Sequence, residues 1–317
     1  MTMKCIICNE EKTESKEHII PKAMGNDNFI TNRVCRSCNN KLGSYVDDYF
    51  INHFIIKIIR KDRNWVGESG IPIKLFPSNA VDKVSGKHFL FRDDKPIFLP
   101  EVILENDVMH VEASSLEEGM KIARKKLDRM GFSAERIEEI LKNCSLSEKQ
   151  TIKPEFSFPA NIEWGRFGLA IVKIAYEYTH RCLGDSYLEN ETARVIRQEL
   201  FKSIYHENDT SINNNNDFIK YHFIPCNEDM LHIVKNCSER FTVPIRHCLI
   251  LHKTPDKQLV CDIFLGLINI ISFSVLMAEK MASDYLREQM YITLIFDDSS
   301  IIDVSPENLV ESNFSDK

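Results

Sequence analysis

The chain has 317 residues and a net charge of -7, with 40 basic and 47 acidic side chains. This length allows about two domains, and the acidic balance argues against a protein that coats nucleic acid by charge alone. Ten cysteines in a long chain that opens without an apolar leader predict reduced thiols in the cytoplasm, not the disulfide framework of a small secreted protein.

Charge is unevenly distributed along the chain. Residues 1–63 carry eleven Lys or Arg and eight Asp or Glu, a net charge of +3, so the remaining residues carry -10. The turn-rich segment 63–72 follows, and it indicates a boundary. We therefore expect a first domain over residues 1–65 and a second domain over residues 66–317.

Two CxxC pairs lie in the N-terminal segment. Cys5 and Cys8 form the first pair, and Cys35 and Cys38 form the second, with 26 residues between them. Each pair can point two thiolates at one ion, so two pairs complete a closed tetrahedral zinc site. A closed site has no open position for substrate, which predicts a structural zinc that stabilises a small region.

Short motifs lie between and after the cysteine pairs. Residues 17–21 read Glu-His-Ile-Ile-Pro, Asn32 precedes the second pair, and Asn39 directly follows it. In this order, nested within two zinc knuckles, the motifs resemble the HNH endonucleases (His-Me finger, ββα-metal fold), in the branch with four zinc-binding cysteines. Many members have two glycines after the His motif, whereas only Gly25 is present here, which is enough for one turn with positive φ.

The resemblance implies a role for each matched residue. His18 corresponds to the general base that takes a proton from the attacking water. Glu17 and Asn39 correspond to the oxygen ligands of one catalytic cation, for which Mg or Mn suits better than Zn. Asn32 corresponds to the residue that braces the loop carrying the histidine.

The sequence leaves two roles open, the second cation ligand and the phosphate contacts. Asn40 is the alternative to Asn39 as the cation ligand. Arg33, Arg36 and Lys41 are candidates for phosphate contacts in substrate binding, but they could equally be solvated charges.

Residues 71–182 predict strands followed by helices. Strands are expected at 71–76, 87–92, 96–105 and 107–113, separated by Pro and Gly. Helices are expected at 115–130, after a Ser114 or Ser115 cap, at 134–144, and at 164–182, where apolar residues recur at helical spacing.

The remaining chain predicts one helix and then short strands. The helix is expected at 192–205, and strands are expected at 221–225, 230–235, 244–253, 258–267, 269–277 and 291–296. The apolar run 263–278 is too short for a membrane span and indicates buried strands. We expect Asp297, Asp298 and Asp303 in a turn, and we expect the later Cys and His residues, including His232 and Cys237, to pack within β structure.

Three functions compete at the level of sequence. The first is a metal-dependent endonuclease that hydrolyses DNA, with RNA as an alternative substrate, in a bacterial defence or restriction setting. The second is a zinc-stapled nucleic-acid-binding module without catalysis, and the third is a protein-interaction module. The predicted fold is α+β, with a small ββα-metal domain and a larger domain that is rich in strands towards its C-terminus. That larger domain could bind a protein partner, sense a small-molecule trigger or form a homo-oligomer.

Overall fold

The protein is described by a computed structural model that covers residues 2–67, 70–106, 108–147, 151, 153–158, 163–205, 216–226, 228–266, 271–280 and 290–304. Two compact units divide the chain, and the first joins residues 1–73 to residues 161–317. The second unit is residues 74–160. This division differs from the boundary expected near residue 65, because the N-terminal region packs against a helix that lies a hundred residues later.

A ββα arrangement forms the N-terminal region. Strands β1 (Thr2–Lys4), β2 (Glu11–His18) and β3 (Ile30–Cys35) make an antiparallel sheet in that order. Helix α1 (Arg36–Leu42) follows directly, then a π-helical turn (Gly43–Asp47), α2 (Asp48–Asn52) and α3 (Phe54–Asp62). The first sixty residues thus combine strands and helices, which confirms the predicted α+β class for this region.

Helix α6 (Trp164–Leu183) is the central element of the first unit. Residues 167–180 are all buried, as expected for a helix that is covered by protein on every side. The Tyr176 hydroxyl donates to the Ile6 carbonyl oxygen at 2.8 Å. The Tyr178 hydroxyl donates to the Leu249 carbonyl oxygen at 3.2 Å. The helix therefore connects the N-terminal region to the C-terminal sheet.

A six-stranded antiparallel sheet makes up the C-terminal part. Its strand order is β14 (Ile301–Val304), β13 (Met290–Phe296), β10 (Ile245–Lys253), β11 (Leu259–Leu265), β12 (Ile271–Ala278) and β9 (Phe223–Ile224). Alternate residues face opposite sides: Leu249 joins the core with α6, whereas Ile250 packs with α9 (Glu228–Arg240). Helices α7 (Glu191–Tyr205) and α8 (Asn216–His222) complete the unit.

The described residues of the second unit form two small sheets and two helices. Strands β4 (Asn79–Val81), β5 (His88–Arg92) and β6 (Lys95–Phe98) form one sheet, and β7 (Glu101–Glu105) pairs with β8 (Val108–Glu112) in the other. The helices are α4 (Leu116–Arg129) and α5 (Ala134–Lys142). Ser115 caps α4, because its hydroxyl accepts from the Glu118 amide at 3.2 Å.

Several local predictions were wrong. Residues 230–235 belong to α9, where Met230, Val234 and Cys237 are buried at helical spacing. His232 also lies on this helix, so neither it nor Cys237 is in β structure. Asp303 lies in β14 and not in a turn, and residues 71–76 form no strand.

The apolar run at 263–278 contributes to two strands, β11 and β12, as expected for a buried sheet. Among the described helices, none combines the length and apolar character that crossing a bilayer requires.

Candidate functional site

The four N-terminal cysteines converge on one point. Their sulfur atoms all lie within 4.8 Å of one another, and the Cys8 and Cys35 sulfurs are 3.9 Å apart. The first pair lies in the turn after β1, while Cys35 ends β3 and Cys38 lies in the first turn of α1. Thiolates at a zinc–sulfur distance of about 2.3 Å in a tetrahedron are separated by similar distances. The cluster therefore fits a structural metal such as zinc.

Local hydrogen bonds shape the two cysteine knuckles. The Cys35 amide donates to the Cys5 sulfur at 3.3 Å, and Asn9 adopts φ 62° as its amide donates to the Cys5 carbonyl. A hydrogen bond from Cys38 lowers the pKa of Cys5 to about 4, whereas burial raises the pKa of Cys8 to about 11. Zinc would require all four sulfurs as thiolates, so its binding would release protons.

His18 lies at the end of β2 and is half-buried. Burial lowers its pKa, and the nearby ammonium groups of Lys173 and Lys22 lower it further. The imidazole is therefore neutral near pH 7, which is the form that a general base needs. The loop that follows turns at Gly25, whose φ of 78° matches the expected single glycine turn.

Asn39 ties α1 to the strand that carries His18. Its Nδ2 atom donates to the Lys16 carbonyl oxygen at 2.8 Å and to the Ser15 hydroxyl at 3.1 Å. Oδ1 of Asn39 has no partner in the described part of the chain, so it is the oxygen that could hold a cation. Asn40 is exposed.

Asn32 lies at an irregularity of β3. The sheet register shifts between the pairs Ser15↔Val34 and Glu17↔Thr31, so two residues of β3, Asn32 and Arg33, lie opposite one residue of β2. This is a β-bulge, a feature that often re-aims side chains near functional sites. The Asn32 side chain is exposed, and none of the described residues hydrogen-bonds to it.

A buried ion cluster surrounds Glu17. Lys173, on α6, places its Nζ 2.5 Å from Glu17 Oε1, 3.2 Å from Asp47 Oδ2 and 3.6 Å from Glu177 Oε2. The same ammonium donates to the His18 carbonyl oxygen at 2.9 Å. Sequence reasoning assigned Lys173 only to a core helix; its spacing of four residues from Glu177 within an apolar stripe was the available signal.

The charges in this cluster do not balance. Burial disfavours the charge of Lys173, but three carboxylates nevertheless raise its pKa. Burial raises the pKa of Glu17 to about 7 and also raises the pKa values of Asp47 and Glu177. One ammonium and three carboxyl groups therefore share the site, and part of the cluster is protonated near neutral pH.

The three expected phosphate-binding residues differ in their surroundings. Arg33 pairs with Asp185 through Nη2 at 2.6 Å. Lys41 donates to the Ile204 carbonyl oxygen at 3.1 Å and lies 4.1 Å above the Tyr205 ring. Arg36 is exposed and makes no ion pair within the described ranges, so it is the most readily available of the three.

Comparison with known proteins agrees with the geometry of the N-terminal region. Residues 5–55 match the family model described as HNH endonuclease. No curated protein and no solved structure matches the chain.

Proposed function

We propose that the chain, whose residues 5–55 match the HNH endonuclease family model, hydrolyses phosphodiester bonds of DNA with His18 as the general base. The observation that carries this proposal is the state of His18, whose imidazole is half-buried and has a lowered pKa. His18 lies at the end of β2, and Asn39 links this strand to helix α1 by a hydrogen bond. A neutral imidazole here can accept a proton when water attacks phosphorus.

The proposed reaction is a hydrolysis in which water is the nucleophile. One proton of the attacking water passes to His18 as the new phosphorus–oxygen bond forms, and the bond to the leaving oxygen breaks. A divalent cation, when bound, would offset negative charge on the phosphate and on the leaving oxygen. Glu17 Oε2 and Asn39 Oδ1 are hard oxygen donors of the kind that Mg or Mn prefers.

The charge distribution is compatible with a nucleic-acid substrate, but it predicts only weak binding. Residues 1–63 carry +3, and the remainder carries -10. Backbone affinity grows with the number of phosphates that basic side chains neutralise, and Arg36 is the readily available one of the three candidates. If attraction by net charge is weak, another factor must bring the nucleic acid to the site. This fits a host-defence effector in which the chain after residue 65 responds to a protein partner, to a small molecule or to a second copy of the chain.

A second candidate function rests on the ion pair at Glu17. The Lys173 ammonium already pairs with Oε1 of that carboxylate. The site therefore resembles a metal site in which the positive charge comes from an internal lysine and not from a metal ion. This observation favours a non-catalytic zinc-stapled module that binds nucleic acid. RNA remains an alternative to DNA under either function.

A plasmid-nicking assay distinguishes the two functions. Purified full-length protein is incubated with supercoiled plasmid and with Mg or Mn, in parallel with His18→Ala and with the control His88→Ala, which changes an exposed histidine of β5. We expect nicking by the wild type and the control and at least 100-fold less by His18→Ala. Nucleic-acid binding with equal, background-level nicking by all three proteins would instead favour the module without catalysis.

A further inference from the structure

Helix α4 of the second unit concentrates positive charge. Residues 121–129 contain five Lys or Arg and one Asp, a net charge of +4, whereas the chain after residue 63 carries -10. The basic residues are Lys121, Arg124, Lys125, Lys126 and Arg129. This helix is therefore a local exception within the acidic part of the chain.

Three of these side chains form a stripe along one face of the helix. Lys121, Lys125 and Arg129 follow one another at intervals of four residues, which places them on the same face, and all three are exposed. At a rise of about 1.5 Å per residue, the stripe is about 12 Å long. None of the three makes an ion pair with another described residue, whereas Arg124 Nη2 lies 2.7 Å from Glu138 Oε1. The stripe therefore presents three cations to solvent.

The stability of the helix does not explain this stripe. Like charges four residues apart repel one another and destabilise a helix. The helix dipole favours cations in the last turn, which accounts for Lys126 and Arg129. Lys121 lies two turns before Arg129 and gains little from the dipole. An external partner with several negative charges would offset the repulsion along the whole stripe.

The opposite face of α4 is already covered by protein. Ala123 and Leu127 are buried together with Ile137 and Leu141 of α5, and residues of β8 pack against this cluster. A basic helix that binds a lipid bilayer has to insert its apolar face into the membrane. Because the apolar face of α4 is used within the second unit, the stripe suits a polymer of phosphates better than a bilayer.

We propose that the stripe of Lys121, Lys125 and Arg129 binds the phosphate backbone of duplex DNA. The affinity of a protein for DNA grows with the number of phosphates that its basic side chains neutralise. Such contacts position a protein on the duplex without reading its sequence. The choice of DNA as the polymer rests on the proposed function. The stripe supplies an attraction that adds to the charge of +3 over residues 1–63.

Fluorescence anisotropy with the full-length, zinc-loaded protein tests the proposal. The probe is a labelled DNA duplex of mixed sequence, titrated at several salt concentrations between about 50 and 200 mM. No divalent cation is added, so that binding is measured without cleavage. The test variant combines Lys121→Gln, Lys125→Gln and Arg129→Gln. Glutamine is a good helix former, so the variant should keep the helix.

The matched control removes the same charges elsewhere in the second unit. It combines Lys83→Gln, Arg92→Gln and Lys95→Gln, which change two lysines and one arginine at exposed positions in or beside the sheet of β4, β5 and β6. Net charge changes equally in the two triple variants, so a difference between them reports the position of the cations. Far-UV circular dichroism of both variants should match that of the wild type.

We expect the α4 variant to bind duplex DNA about ten-fold or more weakly than the wild type at about 50 mM salt. The slope of log affinity against log salt concentration should become shallower by about 2–3, since each lost phosphate contact contributes about 0.9. The control should bind within about two-fold of the wild type, with an unchanged slope.

Three outcomes would overturn the proposal. The first is a wild type that does not bind the duplex, and the second is equal affinity and slope for the two triple variants. The third is α4-dependent binding to vesicles that contain phosphatidylserine, with no α4-dependent binding to the duplex.

Plasmid nicking separates this proposal from the endonuclease proposal. If duplex binding depends on the stripe but the wild type nicks no plasmid, the endonuclease proposal fails and the DNA-binding surface stands. If the wild type nicks plasmid and the α4 variant binds and nicks as the wild type does, the DNA-binding surface fails and the endonuclease proposal stands.

Discussion

At the residue scale, Lys173 connects the histidine strand to the rest of the first unit. Its ammonium contacts three carboxyl groups and one carbonyl oxygen, and its side chain is fully buried. Buried charges of this kind add little net stability as a set, but removal of one partner leaves the others uncompensated. The cluster therefore makes the position of β2 depend on α6.

We predict that Lys173→Met destabilises the protein by about 3–5 kcal/mol, because it leaves Glu17, Asp47 and Glu177 buried without their cation. Urea unfolding at pH 7 measures the change. Lys220→Met is the control, since the Lys220 side chain is 78% exposed, and it should change the free energy of unfolding by less than about 0.5 kcal/mol. Equal stabilities of the two variants would refute the coupling.

His247 is a second buried polar residue with a measurable consequence. Its Nε2 lies 2.9 Å from the Met24 carbonyl oxygen, to which it donates, and burial lowers its pKa to about 3. An unfolded histidine titrates near 6.5. Between pH 6.5 and 3 the unfolded state therefore binds a proton that the folded state does not, so stability falls as pH decreases, by at most about 1.4 kcal/mol per pH unit.

We accordingly expect His247→Gln to lose this contribution to the pH dependence. Urea unfolding of the wild type and the variant at pH 7, 6 and 5 should give a shallower slope for the variant, by about 1 kcal/mol per unit between pH 6 and 5. His88→Gln, an exposed histidine, should keep the wild-type slope. Parallel slopes for all three proteins would contradict the buried, neutral state of His247.

At the element scale, the four-cysteine cluster, which fits a structural metal such as zinc, brings the turn after β1, the end of β3 and the start of α1 together. Cys38 is further linked to α7, because its sulfur lies 3.7 Å from the Tyr205 hydroxyl. The knuckles therefore contact both the sheet and a helix from the C-terminal part of the unit.

The Cys5→Ser and Cys8→Ser double variant should reduce bound zinc from one ion per chain to none, since two ligands do not retain a tetrahedral site. Elemental analysis of purified protein measures the ratio. Cys144→Ser changes an exposed thiol outside the cluster and should retain one zinc per chain. Full zinc content in the double variant would exclude the four-cysteine assignment.

The elements also show how far local sequence determines structure. The helix predicted at 164–182 is observed at Trp164–Leu183, because its apolar stripe and the Gly184 stop are both local signals. Residues 230–235 were predicted as a strand, since a six-residue window is too short to reveal the helical spacing of Met230, Val234 and Cys237. The convergence of the four cysteines was likewise predictable from their spacing. The i,i+4 spacing of Lys173 and Glu177 could indicate a buried ion pair, but no local pattern predicts the contact with Glu17, which lies 156 positions away.

At the scale of the whole molecule, the N-terminal region shares its core with the chain after residue 161. Phe50 packs against Phe167 with ring centroids 5.2 Å apart, and Ile6 accepts a hydrogen bond from Tyr176. The region that matches the HNH endonuclease family model is therefore one part of a larger folding unit, although the match spans only residues 5–55.

A fragment of residues 1–73 should consequently fail to unfold cooperatively even with zinc, because the side chains that it normally buries against α6 become exposed. A fragment of residues 74–160 should unfold cooperatively, since it forms a compact unit with its own buried cluster. Thermal scans by circular dichroism measure both. A sharp transition in the first fragment would show that the N-terminal region folds independently.

The six-stranded sheet has one further consequence, which concerns self-association. Over the described residues, its two edges are β9, with two residues, and β14, with four. Short edge strands expose few unpaired backbone groups, which disfavours the addition of a strand from another molecule. The Asp303 carboxylate on β14 is also engaged by Thr293 and Arg181. Over the described residues, this sheet therefore offers a second copy of the chain little backbone to extend.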